Sequence, residues 1–580
     1  MSKTRIVVFG DSVAAGTSAK LDVFHDCLQY QTTTVNRVRD TQTWWSILGR
    51  ILSDWVDGGV EVINAGVAGD TVAQGLARLD QDVTAHSPDY VLVMFGSEDV
   101  LQGVEAKGFQ KDLEKIVKRI AASTTIPVLI TPVPFSERMT AECDVDELRR
   151  RQARLAEFAK VVCGVARKQS LRVVDLHRFF LENRLAYEHL FKGWQPDGVA
   201  QSAMASFVAG ELARPLGIRK FPTVQLCDHH KIYSNPTETD RKHNGFTFMT
   251  LFEGEFYVTF RQAFGHGSSP TSVGRVVVLR SADGITWHEE AVVEPTPGAE
   301  GFGPCAIFVA GGHLLVYAVA IERKAPALPA SCMTYASERL APGKWSAPFE
   351  CAPGLLWRLT KWRGQYMNAA CDLPGEHEGR VVLYSSPDGR RWQVASVICG
   401  RENYNNETDL WAEGDKLMAF ARHDPPEGGH QMQVFTFIES ENRWEMASSG
   451  RIVQAPCVFK AGERLFVAGR TTAYPEDQFD ILGREFSKVG QNKPDGDRAA
   501  AEKYHHGLRT GIFVMDGTRA RQVAELLSAG DSSYCGAVQY GCDHLISDYS
   551  MHEYYRPVKD GTSWITPCDI YVSRIRFGKE

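Results

Sequence analysis

The chain has 580 residues, of which 43% are hydrophobic and 23% charged, a composition that excludes the disordered and membrane-embedded classes. Its 64 basic and 71 acidic residues give a formal net charge of −7, so we expect neither nucleic acid nor an anionic membrane as a partner. Single hydrophobic cores stop growing at roughly 250–300 residues, which predicts at least two domains.

From the first residues of the chain we expect no targeting segment. An apolar run, Arg5–Phe9, follows the first residues directly, without the charged region and cleavage site of a signal peptide. No apolar run approaches the ~18–20 residues of a membrane span, so we expect a cytoplasmic protein. The 13 cysteines include no CxxC pair, which predicts reduced thiols and no metal site; we expect no cofactor.

Up to about residue 218, short apolar runs alternate with amphipathic segments. The runs are typical of buried parallel strands; they are Arg5–Gly10, Glu61–Ala65, Tyr90–Phe95, Ile126–Thr131 and Leu171–Leu176. The segments have the apolar spacing of helices; they are Thr43–Val56, Val72–His86, Lys111–Ser123, Asp144–Gln169 and Ser202–Leu216. This alternation predicts a doubly wound α/β domain over residues 1–218, with ligands beyond the carboxyl ends of its strands.

After Pro222 the pattern changes to short alternating strands separated by turn residues, which predicts an all-β domain over residues 222–580. The pattern S-x-D-G-x-x-W occurs at residues 281–287 and again at 386–392. Asp and Gly favour a tight hairpin turn and Trp packs between blades, so we interpret the motif as a structural part of a β-propeller. At roughly 65–75 residues per blade we expect five blades, with Tyr474–His506 as a polar insertion or loop.

The first domain carries the sequence blocks of a hydrolase family. Phe9-Gly10-Asp11-Ser12, Asn64–Thr71 and Gly75–Leu79 together resemble the SGNH (GDSL) hydrolases over nearly all of residues 1–218. In that family the serine of the first block is the nucleophile. A glycine of the second block and an asparagine of the third form the oxyanion hole, while a D-x-x-H pair supplies an orienting Asp and the general base. The resemblance therefore implies Ser12 at the nucleophile position and Gly69 at the oxyanion hole.

Two blocks depart from the pattern of that family. The third, normally G-x-N-D, reads Gly96-Ser97-Glu98-Asp99, so Glu98 replaces the amide donor and its charge would repel an oxyanion. The last reads Asp197-Gly198-Val199-Ala200, so Asp197 remains while Ala200 replaces the histidine. A serine hydroxyl is a weak nucleophile without a positioned base, and we therefore expect a degenerate SGNH site.

The second domain resembles sialidase-like propellers of the BNR type over about residues 227–580. The resemblance rests on an ordered set of blocks; they are His243–Thr247, Phe256–Arg261 with His266, Asn406–Leu410, Leu417–Arg422, Leu465–Arg470, Asp531–Gly536 and Tyr549–Glu553. In sialidases three arginines clamp the substrate carboxylate, a Tyr paired with a Glu attacks the anomeric carbon, and an acidic residue protonates the leaving oxygen. A neutral phenol avoids repulsion by that carboxylate, and the arginine fork matches it with two parallel hydrogen bonds.

The sialidase resemblance implies a role for residues in several predicted blades. They are the clamp arginines Arg261, Arg422 and Arg470, the nucleophile Tyr534, its base Glu407, the candidate acids His266 and Asp240, and His552 as a substrate contact. No acid motif of the family can be carried over to either candidate acid. The typical Arg-Asp-Pro segment after the first turn motif is also missing, which leaves the identity of the sugar open.

These observations favour a carbohydrate-active protein whose propeller hydrolyses the glycosidic bond of an acidic sugar, beside an inactive SGNH-like domain. Two alternatives stay open. One is a carbohydrate O-acetylesterase in which Ser12 works with an unrecognised base. The other is a non-catalytic carbohydrate-binding protein, which would be favoured if the three arginines did not share one pocket.

Overall fold

The computed structural model describes most of the chain in eleven stretches. They are residues 3–16, 42–136, 143–183, 191–192, 195–237, 240–266, 274–295, 302–322, 331–490, 495–554 and 567–578. The chain divides into two compact units: Met1–Asp228 with Gln522–Leu527 and Gly578–Glu580, and His229–Arg521 with Ser528–Phe577. Among the helices in the described stretches, none combines the length and the apolarity needed to cross a bilayer.

The first unit is built on a five-stranded parallel sheet. Its strands are β1 (Thr4–Gly10), β2 (Val60–Gly66), β3 (Tyr90–Met94), β4 (Ile126–Ile130) and β5 (Arg172–Val174). Their order is β2-β1-β3-β4-β5 with parallel registers throughout, which confirms the expected parallel α/β architecture. The strand order reverses between β1 and β3, and in such sheets the crevice at this reversal is the usual ligand site.

Helices and one short hairpin complete the first unit. The helices are α1 (Ser12–Ala15), α2 (Trp44–Ser53), α3 (Val72–Asp82), α4 (Ser97–Leu101), α5 (Ala106–Ile120), α6 (Val145–Lys168), α7 (Leu176–Glu182) and α8 (Gly198–Ala213). The hairpin pairs β6 (Phe191–Lys192) with β7 (Gln195–Pro196). Thr71 and Gln74 form a capping box at the start of α3, which fixes the entry of that helix next to the second hydrolase block.

Two glycines allow the segments behind Ser12 to approach closely. A Cβ atom on Gly10 would lie 1.9 Å from the carbonyl oxygen of Met94 at the end of β3. A Cβ atom on Gly75 would lie 2.3 Å from the ring of Phe95. A larger side chain would push the end of β1 away from β3 at Gly10, and α3 away from Phe95 at Gly75, which explains the residue type at both positions.

The second unit is a β-propeller of antiparallel sheets. In sheet order, the strands are β9–β12 (His243–Phe252, Glu255–Ala263, Arg275–Ser281, His288–Val293); β13–β17 (Phe302–Ala310, His313–Glu322, Ser331–Ala341, Lys344–Trp345, Phe349–Pro353); β18–β21 (Leu355–Trp362, Gln365–Cys371, Val381–Ser386, Gln393–Cys399); β22–β25 (Asn405–Glu413, Lys416–His423, Gln433–Ile438, Arg443–Ser448); β26–β29 (Gln454–Ala461, Arg464–Thr472, Leu508–Asp516, Arg519–Leu526); and β30–β32 (Ser532–Tyr540, Asp543–Ser550, Asp569–Phe577). The last sheet is completed by β8 (Val224–Tyr233), which lies beside β32.

The described strands form six blades, so the prediction of five was wrong. The first strand of each sheet contacts the first strand of the next, and β30 contacts β9, which closes the ring. From β9 to β32 each blade takes on the order of 55 residues, fewer than the 65–75 assumed for one four-stranded blade, because most of its turns are tight.

The segment expected to be a polar insertion or loop is helical. Between β27 and β28 lie α9 (Glu476–Gly490) and α10 (Arg498–His506). The rings of Phe479 and Phe486 lie 5.0 and 5.1 Å from the ring of Tyr504, so the two helices pack through aromatic side chains. The many charged residues of this segment hid the amphipathic period that such packing requires.

The two S-x-D-G-x-x-W motifs form the expected tight turns. In the first, Asp283 Oδ1 accepts hydrogen bonds from the backbone N–H groups of Ile285 and Thr286 at 2.8 and 2.7 Å, and Gly284 has a φ of +72°. These bonds lower the pKa of Asp283 to about 2. Ser386, Asp388 and Gly389 repeat the arrangement, so both motifs are structural turns and not ligand sites.

Candidate active sites

In the first unit, Ser12 lies at the carboxyl end of β1, beside the reversal of strand order. Asp11 caps α1 by accepting from the N–H of Val13 at 3.0 Å, and its other oxygen accepts from the N–H of Ser97 at 3.1 Å. This carboxylate ties the first hydrolase block to the third. Ser12 is 3% exposed and begins the helix that Asp11 caps, so its position is set by backbone geometry on both sides.

Ser12 has a carboxylate partner in Glu98. The Ser12 hydroxyl donates to Glu98 Oε1, and the N–H of Gly69 donates to Ser12 Oγ at 2.9 Å. Gly69 has a φ of +85°, which an L side chain rarely adopts, so glycine is needed to aim this N–H at the serine. The residue expected to repel an oxyanion thus occupies the position of a proton acceptor for Ser12.

The last hydrolase block, Asp197–Ala200, forms the start of helix α8. Asp197 Oδ1 accepts from the N–H groups of Val199 and Ala200 at 3.0 and 3.1 Å and caps α8. Ala200, at the position of the family's histidine, is fully buried. His177 donates from Nδ1 to the carbonyl oxygen of Pro132 at 3.1 Å, and burial lowers its pKa.

Two buried carboxyl groups flank the Ser12 site. Burial raises the pKa of Asp11 and of Asp99 to about 7 each. Asp99 accepts from the N–H of Val72 at 3.0 Å and so holds the start of α3. Each group carries a proton for part of the time near neutral pH, which moderates the negative charge around Glu98.

In the propeller, local irregularities of two inner strands present Tyr534 and Glu407. The register of β30 shifts between Ser533 and Gly536, and Tyr534 has a φ of +50°. The register of β22 shifts between Asn405 and Thr408, and Glu407 lies inside this shift. Bulges of this kind bend a strand and redirect a side chain, and strained φ angles of non-glycine residues cluster at functional sites.

Tyr534 and Glu407 form a hydrogen-bonded pair. The buried phenol donates to Glu407 Oε1, and Arg422 Nη1 lies 3.1 Å from Glu407 Oε2. Arg422 Nε lies 2.7 Å from Asp424 Oδ2, so this guanidinium joins two carboxylates. Burial, followed by the charge of Glu407, raises the pKa of Tyr534 well above its ordinary value, and the phenol stays protonated in the free site.

A second set of contacts, centred on Asp531, adjoins this pair. Arg470 Nη2 donates to Asp531 Oδ1 at 2.8 Å and to the hydroxyl oxygen of Tyr549 at 3.1 Å, and its guanidinium lies 5.2 Å from the centre of the Tyr534 ring. Asp531 Oδ2 lies 2.6 Å from His266 Nδ1 and 2.8 Å from His243 Nε2. We call the connected set the propeller cluster; its members are His243, His266, Glu407, Arg422, Asp424, Arg470, Asp531, Tyr534 and Tyr549.

The other residues expected in this site are placed differently. Arg261 is buried and donates to the carbonyl oxygens of Phe302, Gly265 and His266 at 2.7, 2.8 and 3.0 Å, so it holds the backbone that carries His266. Burial lowers its pKa to about 10. Of the three arginines expected to bind a carboxylate, Arg422 and Arg470 belong to the propeller cluster, whereas Arg261 is buried and binds backbone carbonyl oxygens.

Asp240 and His552, the other two residues expected in this site, lie outside the propeller cluster. Asp240 is exposed in the segment before β9. His552 is buried, with Nδ1 2.9 Å from Ser550 Oγ and its ring 4.9 Å from that of Tyr571. Burial lowers the pKa of His552 to about 4, which favours the neutral ring.

Sequence reasoning gave no role to Asp531, Tyr549 or Asp424. Asp531 lies three residues before Tyr534 in a block that the resemblance had already marked, and that spacing was the available signal. Asp424 follows Arg422 by two residues. These sequence spacings do not show that Asp531 accepts a hydrogen bond from Arg470, because that contact depends on how neighbouring blades are arranged.

One buried group has donor atoms close enough for a metal ion. The ligand atoms of His243, Asp531 and Cys568 lie within 4.8 Å of one another. Asp531 already binds Arg470 and two histidines, and burial raises the pKa of the Cys568 thiol well above its ordinary value. Deprotonating that thiol would place a further buried anion beside Asp531 and Asp569, and a metal ion there would compete with Arg470 for Asp531, so the charges of this group do not fit one.

The parallel sheet, the serine after β1 and the glycine N–H beside it form the arrangement expected of an α/β serine-hydrolase domain. Residues 8–196 match the model of the GDSL-like Lipase/Acylhydrolase family, which supports the GDSL-type hydrolase domain expected there. That match lies within the first unit and ends before the first strand of the propeller. The sialidase resemblance of the second unit therefore stays a prediction.

The similar proteins include esterases. The chain is 28% identical over 217 residues to an arylesterase of Vibrio mimicus, which covers 37% of this chain and 90% of that protein. It is 23% identical over 171 residues to an acetylxylan esterase of Geobacillus stearothermophilus, covering 29% of this chain and 74% of that protein. A solved lipase/acylhydrolase from Enterococcus faecalis is 25% identical with a TM-score of 0.28, covering 37% of this chain and 99% of that one. The family-model match and the two esterase relatives support a hydrolase domain in the first unit.

Proposed function

We propose that the first unit hydrolyses carboxylic esters through Ser12, with small acyl esters of carbohydrates as the substrate class. The observation that carries the proposal is the hydrogen bond from the Ser12 hydroxyl to Glu98. The arylesterase and acetylxylan esterase names of the similar proteins support this choice of ester.

In the proposed reaction Ser12 Oγ attacks the ester carbonyl carbon while its proton passes to Glu98 Oε1. The carbonyl oxygen becomes an oxyanion, and the N–H of Gly69, 2.9 Å from Ser12 Oγ in the free site, is available to stabilise it. Glu98 becomes neutral as the oxyanion forms, so the repulsion expected from an ionised carboxylate is removed at that stage. The alcohol takes the proton as it leaves, and water then hydrolyses the acyl-serine by the same route.

The test is release of acetate from 4-nitrophenyl acetate and from acetylated xylo-oligosaccharides. We expect Ser12→Ala to remove activity on both substrates. Ser206→Ala is the matched control, because Ser206 is also buried in this unit but donates to the carbonyl oxygen of Ser202 within α8. Equal rates for wild type and Ser12→Ala would contradict the proposal.

A second candidate function is favoured by the Tyr534–Glu407 hydrogen bond in the propeller. We propose hydrolysis of a glycoside of an acidic sugar there, with Tyr534 as nucleophile and Glu407 as its base. Arg422 and Arg470 supply two cationic forks in the propeller cluster, and such forks bind carboxylates well. A neutral phenol next to a carboxylate is the nucleophile that an anionic anomeric centre requires.

A further inference from the structure

We propose that His266, held by Asp531, is the catalytic acid that protonates the leaving oxygen in the propeller. This inference rests on the second candidate function and supplies the acid that sequence motifs did not identify.

His266 lies one aromatic ring away from the nucleophile. Its imidazole centroid is 5.1 Å from that of Phe246, whose ring is 4.7 Å from the ring of Tyr534. Phe246 has a φ of +61° in β9, so its backbone is strained at the point where it separates the two side chains. A sugar bound over Tyr534 would have His266 within reach of its glycosidic oxygen.

Asp531 fixes which nitrogen of His266 can react. The Asp531 carboxylate lies 2.6 Å from His266 Nδ1, so Nδ1–H donates to it and the acidic proton is carried on Nε2. A carboxylate in this place orients the ring and stabilises the imidazolium. Burial alone would raise the pKa of Asp531. The charges of His266 and Arg470 and the hydrogen bond from His243 lower this pKa by more than burial raises it, so the pKa of Asp531 lies well below its ordinary value. Asp531 is therefore ionised and cannot itself be the acid.

His243 shares the same carboxylate oxygen but differs in exposure. Its side chain is 1% exposed, whereas that of His266 is 29% exposed. Burial lowers the pKa of His243, so it stays neutral and donates from Nε2 to Asp531. The propeller cluster thus contains one histidine that supports Asp531 and one whose ring is accessible to a substrate.

The backbone at His266 is held in place by hydrogen bonds from a buried arginine. Arg261 donates from Nη1 to the carbonyl oxygens of Gly265 and His266 at 2.8 and 3.0 Å. Because Arg261 is 1% exposed and holds this backbone in place, it acts as a positioning residue for His266. The titratable and charged groups around His266 come from several elements. Asp531 accepts from its ring, and His243 and His505 interact with it electrostatically. Arg261 binds its carbonyl oxygen, and Arg470 binds the other carboxylate oxygen of Asp531.

In the propeller the glycosidic bond is replaced first by a bond to Tyr534 and then by a bond to water. The Tyr534 oxygen bonds to the anomeric carbon as the glycosidic C–O bond breaks, and the phenol proton passes to Glu407. The electron pair of the broken bond goes to the leaving oxygen, which takes the Nε2 proton of His266 and departs as an alcohol. Water then attacks the anomeric carbon, giving one proton to neutral His266, while Glu407 returns its proton to the Tyr534 oxygen. The net reaction is glycoside plus water to free sugar acid plus alcohol.

The test compares leaving groups that need an acid with those that do not. The probes are the 4-nitrophenyl and methyl α-glycosides of N-acetylneuraminic acid and of 3-deoxy-D-manno-oct-2-ulosonic acid. For His266→Gln we expect kcat/KM to fall by about 10²–10⁴-fold on the methyl glycosides, the usual contribution of a general acid, and by less than about tenfold on the 4-nitrophenyl glycosides. Added imidazole should partly restore the activity of His266→Ala on the methyl glycosides.

His313→Gln is the matched control, because His313 is a half-exposed histidine of the same propeller that pairs with Glu338 and not with the propeller cluster. Equal losses on both leaving groups in His266→Gln, with no rescue of His266→Ala by imidazole, would overturn the role of His266 while leaving the Tyr534 proposal standing. No cleavage of any probe by the wild type would overturn the second candidate function and this inference together.

Discussion

Arg422 Nη1 lies 3.1 Å from Glu407 Oε2, so the carboxylate that accepts the Tyr534 hydroxyl is held on its far side by an arginine. The same guanidinium contacts Asp424 at 2.7 Å. A substrate carboxylate that binds Arg422 must therefore compete with Asp424 and not with Glu407, if the base is to keep its orientation. This relationship assigns the two acidic partners of Arg422 different roles.

Tyr534→Phe should abolish glycoside cleavage without unfolding the propeller. The substitution removes the attacking oxygen but keeps the ring that packs against Phe246 and Trp357. Initial rates on the four aryl and methyl glycosides measure the effect. Tyr571→Phe is the control, since Tyr571 is equally buried but donates to Glu553. Undiminished cleavage by Tyr534→Phe on every substrate would reject the phenol as nucleophile.

Glu98→Gln should lower ester hydrolysis by about 10²–10⁴-fold, because an amide cannot take the proton of Ser12. Glu98→Asn restores the amide that the GDSL family carries at this position and tests the opposite idea, that Glu98 obstructs an oxyanion. Acetate release from 4-nitrophenyl acetate measures both variants. A higher rate in either one would show that Glu98 inhibits the site.

Arg422 and Arg470 should respond differently to replacement by Met. The Arg422 side chain is 21% exposed and that of Arg470 is 5% exposed. Arg470→Met leaves the buried Asp531 without its arginine, which for such pairs costs about 3–5 kcal/mol in the free energy of unfolding. Arg422→Met should mainly raise KM for an anionic glycoside. Denaturant titration and steady-state kinetics separate the two, and a reversed pattern would exchange the assigned roles.

Asp548→Asn should stabilise the propeller more at pH 8 than at pH 5. Asp548 is fully buried, neither carboxyl oxygen has a hydrogen-bond partner within the described residues, and burial raises its pKa to about 8. The folded value lies above that of an unfolded aspartate, so this group's stabilising contribution is full below about pH 4 and is lost as the pH rises toward 8.

Replacing Asp548 removes that loss, and the denaturation midpoint of the propeller transition at the two pH values measures the gain. Asp283→Asn is the control. The pKa of Asp283 is lowered to about 2, so its contribution is constant between pH 5 and pH 8 and is lost only in acid. An equal shift for Asp548→Asn at both pH values would mean that Asp548 is already ionised when folded.

Local patterns predicted the elements well where one segment decides its own structure. The five parallel strands and the two hairpin turns depend on nearby residues, and the structure has them within a few positions of the expected bounds. The blade count failed because it divided a length by an assumed spacing. A tight turn such as the one at Gly284 shows where two strands meet, but it does not show how many residues each blade contains or how many blades there are.

The site could be predicted in residue type but not in geometry. Tyr534, Glu407 and Arg422 were expected together, yet the register shifts that present the first two depend on pairing with neighbouring strands. Arg261 looked like the other arginines because it also follows a strand pattern. Only the fold reveals that its guanidinium binds the carbonyl oxygens of Gly265 and His266. Glu98 was read as a lost donor because spacing alone cannot show that it faces Ser12.

The position of β8 beside β32 has a consequence for biosynthesis. The two strands are separated by more than 300 residues, so the final blade stays incomplete on the ribosome until β32 has emerged. Until then the exposed edge of β31 is open to pairing with other chains. Truncations that remove either strand should therefore produce insoluble protein instead of a smaller working ring.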